Sequence, residues 1–236
     1  VAKAGSVRGS KRTQEAIERP IRRHLYQYLF LIVCEDGKTE PYYFSRFEKE
    51  IPLETMFLRH VGTGLDPLGV VERACTERDQ LAAEFKRTVD ETWVVFDKDD
   101  ADKEPGKTNR FHQALRLAAD NEFRLAFSNE VFELWLLLHL TAIAPTTPIP
   151  RGDIYAQLEQ ELQKHTAFST FNYVHGKKDV VDAVLLVGNE QAAMQRAEAL
   201  ATAHVGKTTL ESNPSTQVHL LVKELRKWIA YFGYEK

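Results

Sequence analysis

Residues 29 to 34, LFLIVC, are six apolar side chains in a row, and Glu35, Asp36 and Gly37 follow at once. Such a run is far too short to cross a bilayer, which takes about 20 residues. Its continuity also argues against a strand with one wet face, which would alternate polar and apolar positions. It predicts a strand buried on both faces, and hence a sheet covered on both sides. Glu35 and Asp36 emerge where that strand stops, and Gly37 permits a turn. Thr39 followed by Pro41 suits a helix start, because a proline in the first turn gives up no needed N–H. Ligands of open parallel sheets bind outside the carboxyl ends of the strands, so chemistry is expected just past Cys34. A second stretch, TWVVFDKDD at residues 92 to 100, ends in the same way. The functional reading depends on these two ends being neighbours.

The rest of the chain alternates in a manner that suits a mostly parallel α/β sheet. Tyr43, Phe44 and Phe47 fall three and four apart and mark one apolar helix face. Met56 to Val61 suits a strand, and the Gly-rich turn GTGLD feeds a helix carrying Val70, Val71, Ala74, Leu81 and Phe85. After the TWVVFD strand come a polar loop, a helix near 108–120 and a short strand, EFRLAF. SNEVFELWLLLHL, residues 128 to 140, reads as a helix with N-cap residues at its start and Glu130 and Glu133 in or near its first turn. Pro145, Pro148 and Pro150 mark a seam. Beyond it the pattern is helical: residues 153–165, residues 179–204 broken at Gly188, and residues 215–232. The expected organisation is a basic arm over 1–24, an α/β domain over 25–141 and a helical region over 142–236.

Charge and cysteine content narrow the classes. A net charge of -3 gives no global push toward nucleic acid, yet the first 24 residues hold seven Lys or Arg against two Glu, as a frayed arm or a basic contact would. Cys34 and Cys75 are the only cysteines, and with Cys34 inside an apolar strand a buried free thiol is expected rather than a disulfide. No signal peptide and no long apolar run is visible, so a cytoplasmic protein with no membrane association is expected.

Asp97 and Asp99 are two apart and share one side for as long as the backbone stays extended. Two carboxylates so close repel unless a cation offsets them, and a hard divalent ion such as Mg²⁺ or Mn²⁺ answers that need with oxygen ligands. Glu35 would complete a three-acid metal set. The bland alternative is that DKDDADKE is a solvated loop.

The motifs IVCEDGKTEPYYF, VVFDKDD and SNEVFELWLLLH, in that order, resemble those of the RloB family, itself similar to the Toprim superfamily of metal-dependent nucleases, primases and topoisomerases. The resemblance implies a Toprim-like fold in which Glu35 matches the first-motif glutamate and Asp97 and Asp99 match the DxD pair. It also implies a role in bacterial defence against phage, since RloB-like proteins are associated with restriction loci and abortive infection, sometimes beside an ATPase. Three departures stand out, one of them at Asp100 and Ala101, which differ from the acidic and histidine residues common after the acidic pair in relatives. Relatives commonly place Gly directly after the glutamate, whereas this chain has Asp36 and then Gly37, and Glu130 replaces a proline frequent in the third motif.

The implied activity is Mg²⁺-dependent hydrolysis of DNA or RNA. Glu35 would serve as ligand or general base, Lys38 would balance the acids or contact phosphate unless it is a plain surface lysine, and Glu40, Glu133 and Asp100 would be outer acids. The competing expectation is a catalytically silent subunit that docks an ATPase partner or nucleic acid. Other signals carry less. Neither GKT triplet has the earlier glycine of a P-loop, because Ile32 and Ala201 stand there. No paired Cys/His set suggests zinc. His139 reads as a core histidine, and His175, Lys177 and Lys178 read first as a charged loop and only second as nucleic-acid contacts.

Overall fold

The computed structural model describes residues 26–234, so the expected basic arm lies outside the described residues. Five strands form one sheet: β1 (Tyr28–Cys34), β2 (Met56–Gly62), β3 (Glu91–Asp97), β4 (Arg124–Asn129) and β5 (Ser215–Thr216), in the order β2-β1-β3-β4-β5. The first four are parallel, and β5 pairs antiparallel with β4. The helices are α1 (Thr39–Ser45), α2 (Pro67–Phe85), α3 (Pro105–Asp120), α4 (Glu133–Leu138), α5 (Arg151–Gln163), α6 (Asp179–Val187), α7 (Glu190–Ala203) and α8 (Val218–Tyr234).

The apolar run of β1 is divided between two cores by the alternation of a strand. Phe30, Ile32 and Cys34 face a core shared with α1 and α4 to α8, while Leu29, Leu31 and Val33 face one shared with α2 and α3. β3 divides likewise, with Trp93 and Val95 on the first side and Val94 and Phe96 on the second. Each of these side chains is at most 1% exposed, and each contributes about 1.5–3 kcal/mol by leaving water. The mixed α/β architecture with a mostly parallel, doubly covered sheet is therefore the expected one.

This layering also sets where a ligand can enter. The helix after β1, with the 3₁₀ turn Arg46–Lys49 that continues it, packs on one face through Tyr43, Phe44 and Phe47, whereas the helix after β3 packs on the other through Phe111, Ala114 and Ala118. The chain therefore leaves two adjacent strands in opposite directions, which opens a crevice between their carboxyl ends.

Local structure departs from expectation at three places. β3 stops at Asp97, and Asp99 takes a left-handed φ of 44°, so alternation along a strand does not orient Asp99. Ser128 and Asn129 are buried strand residues rather than a helix cap, because Ser128 pairs with Asp97 and Thr216 across the sheet; α4 begins only at Glu133, with no side-chain cap. Ser215 and Thr216, expected in a helix, add the antiparallel edge strand, and the Ser128 and Thr216 hydroxyls lie 3.0 Å apart. The break between α6 and α7 falls where expected and has a steric reason. A Cβ on Gly188 would stand 2.6 Å from the Val184 carbonyl oxygen and 2.8 Å from His139 Cβ. Asn189 then caps α7 by accepting from the Ala192 N–H.

The cysteines are free and Cys34 is buried. No helix among the described residues is long and apolar enough to cross a membrane.

Candidate active site

The end of β1 is fastened to its neighbours by its backbone. The Glu35 N–H donates to the Val95 carbonyl (2.9 Å), and the Glu35 carbonyl accepts from the Gly64 N–H (2.7 Å). Its side chain turns toward β3, where Oε2 accepts the Asp97 N–H at 2.8 Å. The following turn is wound by acids rather than by glycine. Asp36 accepts from the N–H groups of Lys38 (3.2 Å) and Thr39 (2.6 Å), while Glu40 reaches back to the Asp36 N–H (3.1 Å). This reciprocal pairing satisfies N–H groups that a helix start leaves open. It accounts for the burial of Glu40, which is 1% exposed.

Asp97, the last residue of β3, accepts the Phe132 N–H through Oδ2 at 2.8 Å. Its Oδ1 is enclosed and has no hydrogen-bond partner. Lys98 points away, to Asp102 (2.8 Å) and Glu130 (3.2 Å). Asp99 is half exposed and held by Arg151 at 2.9 Å, and Asp100 lies 2.8 Å from the same guanidinium and 2.6 Å from Lys103.

Glu35, Glu40, Asp97, Asp99 and Glu133 line one cleft of about 610 Å³ at the sheet's carboxyl edge. Burial pushes the Glu35 carboxyl up to about 8; the Asp97 N–H opposes the rise, and the negative charges of Asp99, Asp66 and Asp36 add to it. Asp97 is driven well above the usual carboxylate range by burial and then by Glu40, Glu35 and Glu133, and Glu40 by burial and then by Glu35 and Asp36. Glu133 is raised by burial, against the Tyr173 hydroxyl that donates to it at 2.6 Å. Tyr173 stacks on Tyr155 with ring centroids 4.7 Å apart, and His175 Nδ1 is 3.7 Å from Glu133.

Of the residues singled out from sequence, Glu35 and Asp97 touch, and Glu40 and Glu133 stand behind them as buried acids. Asp99 borders the same cleft from its ion pair with Arg151, while Asp100 borders a neighbouring hollow. Lys38 is exposed, is absent from the cleft lining and lies near Gly176. Sequence reading missed Arg151, Tyr155 and Tyr173, which the helical region delivers from far along the chain. A single Arg after Pro150 and two tyrosines 18 residues apart form no pattern. His175 was visible as part of a charged loop. His139 is a core residue: it is 3% exposed, its Nδ1 is 2.9 Å from the Trp135 carbonyl oxygen, and burial depresses its pKa to about 4.

Among the described residues no three His, Cys, Asp or Glu side chains are gathered closely enough to hold a metal ion as they stand. The chemistry of the donor set nevertheless fits a hard divalent cation. Mg²⁺ commonly takes only one or two carboxylates and keeps its waters, and the Glu35–Asp97 pair offers two, one with an enclosed oxygen that nothing satisfies.

A family model described as RloB-like protein matches residues 30–225, from within β1 into α8. The chain belongs to the RloB-like family. No curated protein and no solved structure matches it.

Proposed function

We propose that this protein is a divalent-cation-dependent nuclease that hydrolyses phosphodiester bonds of DNA or RNA as an effector of bacterial defence against phage. One observation carries the catalytic reading, whereas the defence role rests on the family resemblance alone. That observation is a largely enclosed carboxylate pair at the crevice between β1 and β3, with Asp97 Oδ1 unsatisfied and, among the described residues, no ion pair to either carboxylate, since the nearby buried Lys98 is taken by Asp102 and Glu130. Enclosed acids without a counter-charge are costly. Glu35 and Asp97 would hold Mg²⁺ or Mn²⁺, with Asp99 available once it leaves Arg151. When bound, such an ion would polarise a phosphoryl oxygen and acidify a water.

The protein's own groups have separate tasks. The Asp97 N–H fixes Glu35 through Oε2, which leaves Oε1 as the oxygen that would meet the cation. The Phe132 N–H fixes Asp97 through Oδ2, which leaves Oδ1 enclosed and without a partner. Tyr173 holds Glu133, and the Asp36 N–H holds Glu40, which keeps both outer acids in place.

The test is incubation of the purified chain with DNA and with RNA in Mg²⁺ or Mn²⁺, beside Glu35→Ala and Asp97→Ala. Cleavage by the parent and a loss of at least about 100-fold in both variants is expected; undiminished cleavage in both would sink the mechanism. The second reading is a silent binding subunit that docks an ATPase partner or nucleic acid. It is favoured by the absence of a gathered three-acid set among the described residues, and by an outcome in which no substrate is cut even with a candidate ATPase present.

A further inference from the structure

A second hollow, of about 430 Å³, adjoins the acid cleft on the α3 side of Glu35. Lys98, Lys107, Arg110 and Arg151 border it, and Phe111 is part of its apolar wall. Its size suits a small ligand group; Glu35, Asp66, Asp99 and Asp100 also border it, so its cations are balanced by acids and an anion is held only where a cation exchanges its partner. The first turns of α2 and α3 also border it, through Pro67 and Lys107, and helix N-termini favour negative charge.

All four cations have acid partners. Lys98 is held by Asp102 and Glu130, Lys107 stands 3.2 Å from Glu104, and Arg110 bonds both oxygens of Asp66 at 2.6 and 2.9 Å. Arg151 is placed differently. Among the described residues it is the one Lys or Arg that lines both the hollow and the acid cleft. It divides its guanidinium between two carboxylates, Asp99 at 2.9 Å and Asp100 at 2.8 Å, with Glu130 at 3.9 Å. Both partners are 41–50% exposed, so the pairs are screened and readily exchanged. A planar fork that spans two separate acids can instead give both N–H bonds to one phosphate.

We propose that Arg151 is a phosphate-binding residue of this cleft that alternates between two partners. In the free chain it neutralises Asp99 and Asp100; with a nucleic-acid strand present it leaves them and binds a backbone phosphate at the mouth of the hollow. The inference rests on reading the acid cleft as a phosphodiester site. It has a consequence that a structural ion pair lacks. Arg151 and a divalent cation compete for Asp99, so removing the guanidinium strengthens cation binding while weakening strand binding.

The experiment compares the parent chain with Arg151→Ala and Arg151→Lys. Mn²⁺ alone is titrated into each metal-free chain by calorimetry, and a short labelled single-stranded oligonucleotide is bound to each in EDTA and in Ca²⁺. Arg151→Ala should bind Mn²⁺ about 3- to 10-fold more tightly. It should bind the strand about 10-fold more weakly, with the salt dependence reduced by about one ion. Arg151→Lys should return Mn²⁺ affinity toward the parent value but recover strand affinity only in part, because an ammonium lacks the fork. Strand affinity unchanged in Arg151→Ala overturns the inference, as does a joint loss of both affinities with a lowered melting temperature. A parent chain that binds no Mn²⁺ refutes the metal site and leaves the EDTA strand measurement to decide Arg151. A parent that binds no strand refutes both readings.

Discussion

Replacing Glu35 by Gln should make the metal-free protein more stable, and increasingly so as pH rises. The Glu35 carboxyl moves from an ordinary 4.5 to about 8, chiefly because folding removes it from water. Below pH 4.5 both the folded and unfolded chains hold its proton, and Glu35 contributes no pH dependence. Between 4.5 and 8 the unfolded chain has released the proton while the folded chain keeps it, so stability falls across that window. Each pH unit travelled costs about 1.4 kcal/mol, which gives about 3 kcal/mol at pH 7 before water in the open cleft relaxes the field. About 2 kcal/mol is the working expectation. Gln keeps an oxygen for the Asp97 N–H and removes the titration. Loss of the Glu35 charge also relieves Asp97 and Glu40, both raised partly by it, which widens the gap. Urea unfolding in EDTA at intervals from pH 5 to pH 8 measures this directly. The two proteins should agree near pH 5 and diverge by pH 8, with Glu35→Gln the more stable. Parallel curves would refute the account of a buried, uncompensated acid.

Two further substitutions test the scaffold around the acids. A Cβ on Gly62 would stand 2.7 Å from the Asp36 carbonyl oxygen and 2.8 Å from both Gly37 Cα and Pro41 Cγ, largely backbone that cannot step aside. Gly62→Ala should therefore cost about 1–3 kcal/mol in urea unfolding and weaken Mn²⁺ binding, whereas Gly37→Ala, with nothing within 4 Å, should do neither; equal behaviour of the two would contradict the steric reading. Tyr173→Phe keeps the stack on Tyr155 but removes the 2.6 Å donor to Glu133. A loss of about 1–2 kcal/mol is expected at neutral pH, with the Glu133 carboxyl moving further up because the hydroxyl that lowers it is gone; carboxyl NMR titration would show whether it moves at all.

The amino-acid sequence alone determined the parts of this protein that depend on local pattern. Six apolar residues in a row required a strand covered on both faces, and Phe30 and Leu31 do enter opposite cores. The spacing of Tyr43, Phe44 and Phe47 placed an apolar face in the core, and the acids at the ends of two such strands, Glu35 and Asp97, do border one cleft. Where a short-range rule was applied past its range, the outcome changed. Asp99 lies beyond the end of β3, so the period of a strand no longer governs it, and its direction is decided by Arg151, 52 positions away in sequence. Ser128 and Asn129 have the chemistry of helix caps, yet pairing with β3 and β5 takes them into the sheet. Only the tertiary structure decided where Glu35 points, because its partner is a backbone N–H on a neighbouring strand, supplied by parallel register rather than by any residue type. The same holds for the cleft wall of Arg151, Tyr155 and His175. Packing of the helical region against the sheet edge brings them to the acids, and a contact made by packing leaves no periodic trace in the chain.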